Sequence, residues 1–181
     1  MEKKGLLSGI EEICHVADHG IDVEYSIVAD GPLRFSTEQR ISELGLEERV
    51  HLVGRRPQEE VARLLHDNHI LLVPSRAAVD GDEEGLPVVL MEALSTGMPV
   101  VAANHTAIPE LVDDGVDGFL APEGDAEALG AQLSRIASMS AAWAGMGCHG
   151  RRTVEHRHNI ARLDARLEAI LDDVALRYGA G

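Results

Sequence analysis

The amino-acid sequence predicts a doubly wound α/β fold, a parallel sheet with helices on both faces. Three observations predict it. Short apolar runs alternate with longer helical patterns, the signal of strand–helix–strand units. Several of the runs are apolar throughout, as expected of strands covered on both sides. Each of the first four runs is followed by turn-forming or polar residues, where such a sheet places its ligands. A chain of 181 residues suits one domain, or one domain plus an appendage, and can bury a core without disulfides.

In chain order, strands are predicted at Tyr25–Ala29, Val50–Val53, Ile70–Pro74, Pro99–Ala103 and Gly118–Ala121. Helices are predicted around Leu6–Asp18, Thr37–Leu44, Gln58–Leu65, Pro87–Ser95, Ile108–Val112 and Ala126–Met139. Beyond Ala141 the pattern is helical to about Arg177, with Gly145, Gly147 and Gly150 breaking its early part. Residues 1–140 thus read as one domain and 141–181 as a helical segment packed on it, with Trp143, Met146 and Met139 as core beneath. Asp30-Gly31-Pro32 follows the first strand, Gly54 the second, Ser75 the third and Asn104-His105 the fourth. The chain opens on a loop and helix, where a doubly wound domain normally opens on a strand. In the usual order the first strand is central. A strand ahead of Met1 is therefore expected between Tyr25–Ala29 and Ile70–Pro74.

Composition excludes several functions. The apolar fraction of 45% is that of a globular protein. A formal charge of −15 speaks against a nucleic-acid surface, which needs clustered Lys and Arg, and against adsorption to anionic lipid. No apolar run is long enough to span a bilayer and no signal-peptide core is visible, so a cytoplasmic protein without direct membrane insertion is expected. Cys14 and Cys148 fit neither a metal pattern nor a disulfide framework and read as reduced, half-buried packing residues. His149, His156 and His158 are too loosely spaced for a persuasive metal site.

The richest stretch runs from Asp80 to Glu92. Pro87 suits the first turn of a helix, and Gly85 lets backbone approach a ligand. A loop ending at a helix N-terminus presents unpaired N–H groups and a positive partial charge, which favour phosphate. Two carboxylates bracket that point: Glu84 in the loop and Glu92 more than a turn inside the helix. Glu92 is surrounded by Val88, Val89, Leu90, Met91, Ala93 and Leu94. Two readings stand: it occupies one exposed edge of the helix, or with Glu84 it accepts hydroxyl hydrogen bonds from a sugar-bearing ligand.

The span EEGLPVVLME, with Glu84 and Glu92 eight residues apart, resembles the paired-glutamate motif of retaining glycosyltransferases of the GT-B fold. Glu2–Leu6 (EKKGL), Ala29–Arg34 (ADGPLR), Arg49–Val61 (RVHLVGRRPQEEV), Pro74–Ser75, Pro99–Val101 and Ile108–Pro122 (IPELVDDGVDGFLAP) continue the resemblance in family order. The run AVDGDEEGLPVVLMEAL is similar to the exopolysaccharide branch, of the colanic-acid or amylovoran type. The resemblance covers about residues 2 to 135. It implies a Rossmann-like C-terminal domain of a GT-B fold with its first strand missing.

The resemblance also implies roles. Glu84 contacts the donor sugar's hydroxyls, and Glu92 holds the ribose hydroxyls of the nucleotide. Backbone N–H groups around Gly85, Leu86 and Val88 face the sugar and phosphates. Lys4, on its own a solvated terminal lysine, matches a lysine that neutralises the pyrophosphate. Glu84 and Lys4 are thus the catalytic candidates. Gly54 and Arg55 resemble the turn that touches the base, although Arg55 reads equally as a surface arginine. Gly31 resembles a backbone-approach glycine, with Ala29 where the family usually has a glycine. Glu110 matches a glutamate near the phosphates, but Thr106 and Ala107 stand where the family usually has glycine. His105, taken alone, reads as packing or capping.

The implied reaction moves a sugar from a nucleoside diphosphate to an acceptor hydroxyl with retention, in polysaccharide biosynthesis, with no cofactor and no bound metal. The implied partners are the nucleoside diphosphate sugar and a missing N-terminal half that binds the acceptor. Two alternatives remain beside a fragment of a true transferase: a stand-alone nucleotide-sugar-binding module without catalysis, and a degenerate interaction module.

Overall fold

A computed structural model describes residues 5–75 and 85–178. Among the described residues five strands are present: β1 (Tyr25–Ile27), β2 (Val50–Leu52), β3 (Leu71–Val73), β4 (Val100–Asn104) and β5 (Gly118–Pro122). The helices are α1 (Leu6–Asp18), α2 (Arg34–Glu43), α3 (Gln58–Asp67), α4 (Val88–Thr96), α5 (Ile108–Leu111), α6 (Ala126–Ala137), α7 (Trp143–Arg157) and α8 (Ile160–Tyr178). All strand pairs are parallel. Each predicted strand is found, displaced by a residue or two at its ends, and α2 starts three residues earlier than predicted.

Helices cover both faces. On one side Ile10, Ile13 and Val16 of α1 and Leu129, Leu133 and Ile136 of α6 pack with Val101, Phe119 and Ala121 of the sheet. On the other, Leu65 of α3, Leu90, Ala93 and Leu94 of α4, and Ile108 and Leu111 of α5 pack with Val73, Val100 and Ala102. Alternate residues of β4 therefore enter opposite cores, as a pleated strand requires. Gly118, paired with Val100, has no room for a side chain: a Cβ there would lie 2.4 Å from the Val100 carbonyl oxygen.

The C-terminal segment departs from expectation in two ways. The glycines expected to break it do not, for α7 runs unbroken through Gly145, Gly147 and Gly150. Close packing explains two of them. A Cβ on Gly147 would stand 2.0 Å from the Gly97 carbonyl oxygen, and one on Gly150 would stand 2.5 Å from a Leu94 methyl. The small residues let α7 lie against α4, so tertiary contact outweighs the intrinsic cost of glycine. Met146 is buried in the other core, with α1 and α6, and the Trp143 indole N–H donates to the Ile136 carbonyl at 2.8 Å. The second departure is α8, which is exposed along its described side chains, with Ile160, Leu163, Leu167, Ile170, Leu171 and Val174 open to solvent. The packed appendage is thus α7 and not α8. Cys14 is half-buried as expected, but Cys148 is exposed on α7.

The strands fall into two sheets, β1–β2 and β3–β4–β5. Among the described residues nothing pairs β1 with β3. The break falls where the sequence places its expected extra strand. Helix α1 spans it, since Gly9 lies against both the Tyr25 hydroxyl and the Pro74 ring. Tyr25 donates its N–H to Arg49 and Leu71 donates to Pro99, so these residues face the existing partners. Ser26 and Leu72 then point their backbone groups into the break.

Two outcomes are expected. Gly147→Ala should lower stability by about 1–3 kcal/mol through overpacking, measured by urea denaturation; an unchanged midpoint would show that α7 sits further from α4. In amide exchange, Ser26 and Leu72 should exchange far faster than Val101. Equal protection would mean that another segment fills the break.

Candidate functional site

Of the residues singled out in the sequence, Gly31, Gly54, Arg55, Gly85, Leu86 and Val88 lie beyond the carboxyl ends of the strands, in two groups. The first lies after β1 and β2. Gly31 and Arg34 line a shallow concavity together with Leu6, Ile27 and Leu52. Gly54 adopts a left-handed φ of 76°, and Arg34 Nη1 is 3.8 Å from where its Cβ would stand. Arg34 is held by Glu38, at 3.0 Å from Nε, with Asp30 at 4.0 Å. Arg55, next to Gly54, is exposed.

The second group surrounds β3, β4 and the start of α4. Gly5, with a φ of 60°, sits so tightly on Pro74 that a Cβ would stand 1.8 Å from the Pro74 carbonyl oxygen. Only glycine fits such a position. Leu86 is half-buried, Val88 opens α4 at 63% exposure, and no side chain caps that helix end among the described residues. Pro87 is the cap residue of α4 and not its first turn. Thr106 on the β4–α5 turn donates its hydroxyl to the Gly85 carbonyl at 3.3 Å. Lys4 and Glu84 lie outside the described residues.

Glu92 joins the two groups. It is half-buried on α4 and accepts a hydrogen bond from Gln58 Nε2 at 2.5 Å. Gln58 opens α3, three residues after Arg55. The geometry thus answers the sequence question in part: Glu92 is neither on a fully exposed edge nor without a partner. Glu110 is exposed on α5, and its carbonyl accepts from Arg157 Nη1 at 3.0 Å. That contact ties α5 to α7 through the Glu110 backbone.

Sequence reasoning took His105 as packing or capping without a partner, and missed Glu12 altogether. His105 is 3% exposed, and its Nδ1 lies 2.8 Å from Glu123 Oε2, just past β5. Nothing in the local sequence announces a partner eighteen residues on; only the β4–β5 pairing brings it near. Glu12 is buried inside α1 with neither carboxyl oxygen hydrogen-bonded. It faces a cavity of single-water size, lined also by Ser8, Pro74, Ala103 and Asp125 at the same strand ends.

Comparison with known proteins agrees with this architecture. Residues 1–139 match the family model described as glycosyl transferases group 1. The chain is similar to an amylovoran biosynthesis glycosyltransferase of Erwinia amylovora, 42% identical over 174 residues, covering 96% of this chain and 43% of the relative. It is 37% identical over 171 residues to a putative colanic acid biosynthesis glycosyltransferase of Escherichia coli, covering 94% of this chain and 42% of the relative. The chain thus spans less than half the length of these relatives. Among solved structures it superposes on Anabaena HepE in complex with UDP with a TM-score of 0.83 at 23% identity, over 96% of this chain and 46% of that one. It superposes on the C-terminal domain of a group 1 glycosyl transferase of Francisella tularensis with a TM-score of 0.77 at 19% identity, over 88% and 82% of the two chains. The doubly wound fold is shared throughout. Among the described residues no helix is long and apolar enough to cross a membrane.

Glu12 gives the strand ends a pH dependence. Burial, and secondarily the charge of Glu11, push its pKa from 4.5 up to about 8. The folded protein therefore keeps a proton that the unfolded chain releases near 4.5. The stability this retains is full below about pH 4.5 and declines, by up to about 4 kcal/mol, as pH rises to 8. Glu12→Gln should remove that slope, so the variant's advantage over the parent should grow across this window in denaturant titrations. A pH-independent difference would show that the Glu12 carboxyl reaches solvent.

Proposed function

The chain belongs to the group 1 glycosyl transferases, and from that membership we propose that it is the donor-binding half of a retaining glycosyltransferase acting in polysaccharide biosynthesis. One observation carries the reading: the turns after β1, β2 and β4 and the uncapped start of α4 gather at one end of the sheet, with Glu92 linking α4 to the β2–α3 connection. That is where open α/β sheets bind ligands. The printed names of the relatives support the polysaccharide setting, and the UDP complex of the Anabaena structure supports a nucleoside diphosphate donor.

In this reading the start of α4 meets the diphosphate. Its first N–H groups point out of the helix unpaired, and their partial charge favours an anion. Lys4, just before the anchored Gly5, adds a full positive charge. Gly85, Leu86 and Val88 give backbone donors to the sugar and phosphates, and Glu84 takes the sugar's hydroxyls. Glu92 exchanges or shares its Gln58 bond with the ribose hydroxyls. Gly31, Gly54 and Arg55 admit the base side of the nucleotide, and Glu110 lines the phosphate side from α5. The chemical contribution is stabilisation of the departing nucleoside diphosphate by groups already in place before bond cleavage. It requires no bound metal or cofactor. The acceptor is supplied by an N-terminal half, in the cytoplasm.

Calorimetry with UDP, GDP and UMP tests this reading. A diphosphate should bind more tightly than UMP, because both Lys4 and α4 act on the second phosphate. Glu92→Ala should weaken nucleotide binding by about 1.5–3 kcal/mol, and Glu84→Ala should instead reduce discrimination between UDP-sugars. Equal affinity for UDP and UMP would overturn the proposal.

A further inference from the structure

Thr106 is the one non-glycine residue with positive φ among those described, at 44°. A β-branched residue strongly resists this conformation, because its Cβ crowds the backbone. Such an outlier persists only where the surroundings over-determine it. Among the described residues, three contacts do. The preceding residue, His105, is buried and fixed through Nδ1 to Glu123 at 2.8 Å. The His105 carbonyl accepts the N–H of Ile108 at 3.0 Å, locking the chain into α5. The Thr106 hydroxyl then reaches across to the Gly85 carbonyl at 3.3 Å, twenty-one residues away in sequence.

We propose that Thr106 is a positioning residue: it spends backbone strain to hold Gly85, and thereby fixes the chain entering α4 in the form that receives the donor's diphosphate. The inference rests on the donor-site reading above for the identity of the ligand, but not for the link between the two loops. Gly85 is two residues from the α4 cap, Pro87, so a fixed Gly85 carbonyl sets the direction in which the first N–H groups of α4 point. The buried His105 ring, held by the exposed Glu123 carboxylate, serves as the anchor beneath the turn. Strain at Thr106 is not needed for folding, since a glycine would adopt the same φ freely. Its use is the hydroxyl that a glycine lacks.

Three substitutions separate strain from hydroxyl. Thr106→Gly removes both, Thr106→Ser keeps the hydroxyl, and Thr106→Val keeps the branched side chain without it. Thr106→Gly should raise the melting midpoint by about 2–4 °C, while amides from Leu86 to Leu90 (Pro87 excepted) exchange faster in the free protein. Its affinity for UDP should fall by about 3- to 10-fold. Thr106→Ser should match the parent in exchange and binding. Thr106→Val should lose both with no gain in stability. Exchange in the α4 entry that stays at parental rates in Thr106→Gly, or a Thr106→Val variant that behaves like the parent, would overturn the inference. Absence of UDP binding by the parent chain would instead sink the donor-site reading, and the exchange comparison would still decide whether Thr106 positions the loop.

Discussion

The burial of β4 on both faces is the constraint from which the rest of the structure follows. Val100, Val101 and Ala102 have no exposed surface and Ala103 has almost none. A strand so placed must hydrogen-bond on both edges, because an unpaired backbone group in such surroundings costs about 1–3 kcal/mol. β3 and β5 supply those partners. Gly118 allows β5 to approach without a side chain in the way, which fixes Val100 opposite Gly118 and hence Asn104 opposite Pro122. That register brings Glu123 beside His105. A shift of one residue would turn every side chain to the other face and separate the pair.

The half of the sheet formed by β1 and β2 is held differently. Among the described residues it shares no strand hydrogen bonds with the β3–β4–β5 half. Instead, α1 packs Ile10, Ile13 and Val16 in one apolar cluster with Ile27, Val50 and Val101, contributed by both halves. Side-chain burial, which is non-directional, thus aligns two groups of strands that backbone pairing leaves apart. α1 is further clasped to α2 through Arg40 and Glu11 at 2.6 Å, although an exposed pair of this kind adds little stability. The same helix carries the buried Glu12 and starts at the tightly packed Gly5. One element therefore joins the sheet halves, the buried carboxyl and the site.

Glycine and threonine are used in opposite ways. Gly5 and Gly147 are required because backbone passes within bonding distance of where a side chain would begin. Thr106 is tolerated against its own preference because its neighbours hold it. The first kind of position favours stability alone. The second trades stability for a fixed loop, the pattern expected at a ligand site.

The fold was legible in the sequence because each element carried its own signal. Apolar runs such as Val100–Ala103 and the helical patterns of α1, α4 and α6 depend on spacing within a dozen residues, and hydrophobic burial reads that spacing directly. The family was legible because its motifs recur in order along residues 2 to 135. The pairings between distant residues were not. His105 with Glu123, Gln58 with Glu92, and Thr106 with Gly85 join loops that only the packed sheet brings together. Likewise Gly145, Gly147 and Gly150 read as breaks, since local propensity sees the cost of glycine and not the helix lying against it. The burial of Glu12 is of the same kind: a glutamate on an amphipathic helix looks solvated until α6 and the strand ends close over it. Local spacing, read in one dimension, determined the elements; which polar groups meet, and which lose water, was decided by the three-dimensional closure of helices over the sheet.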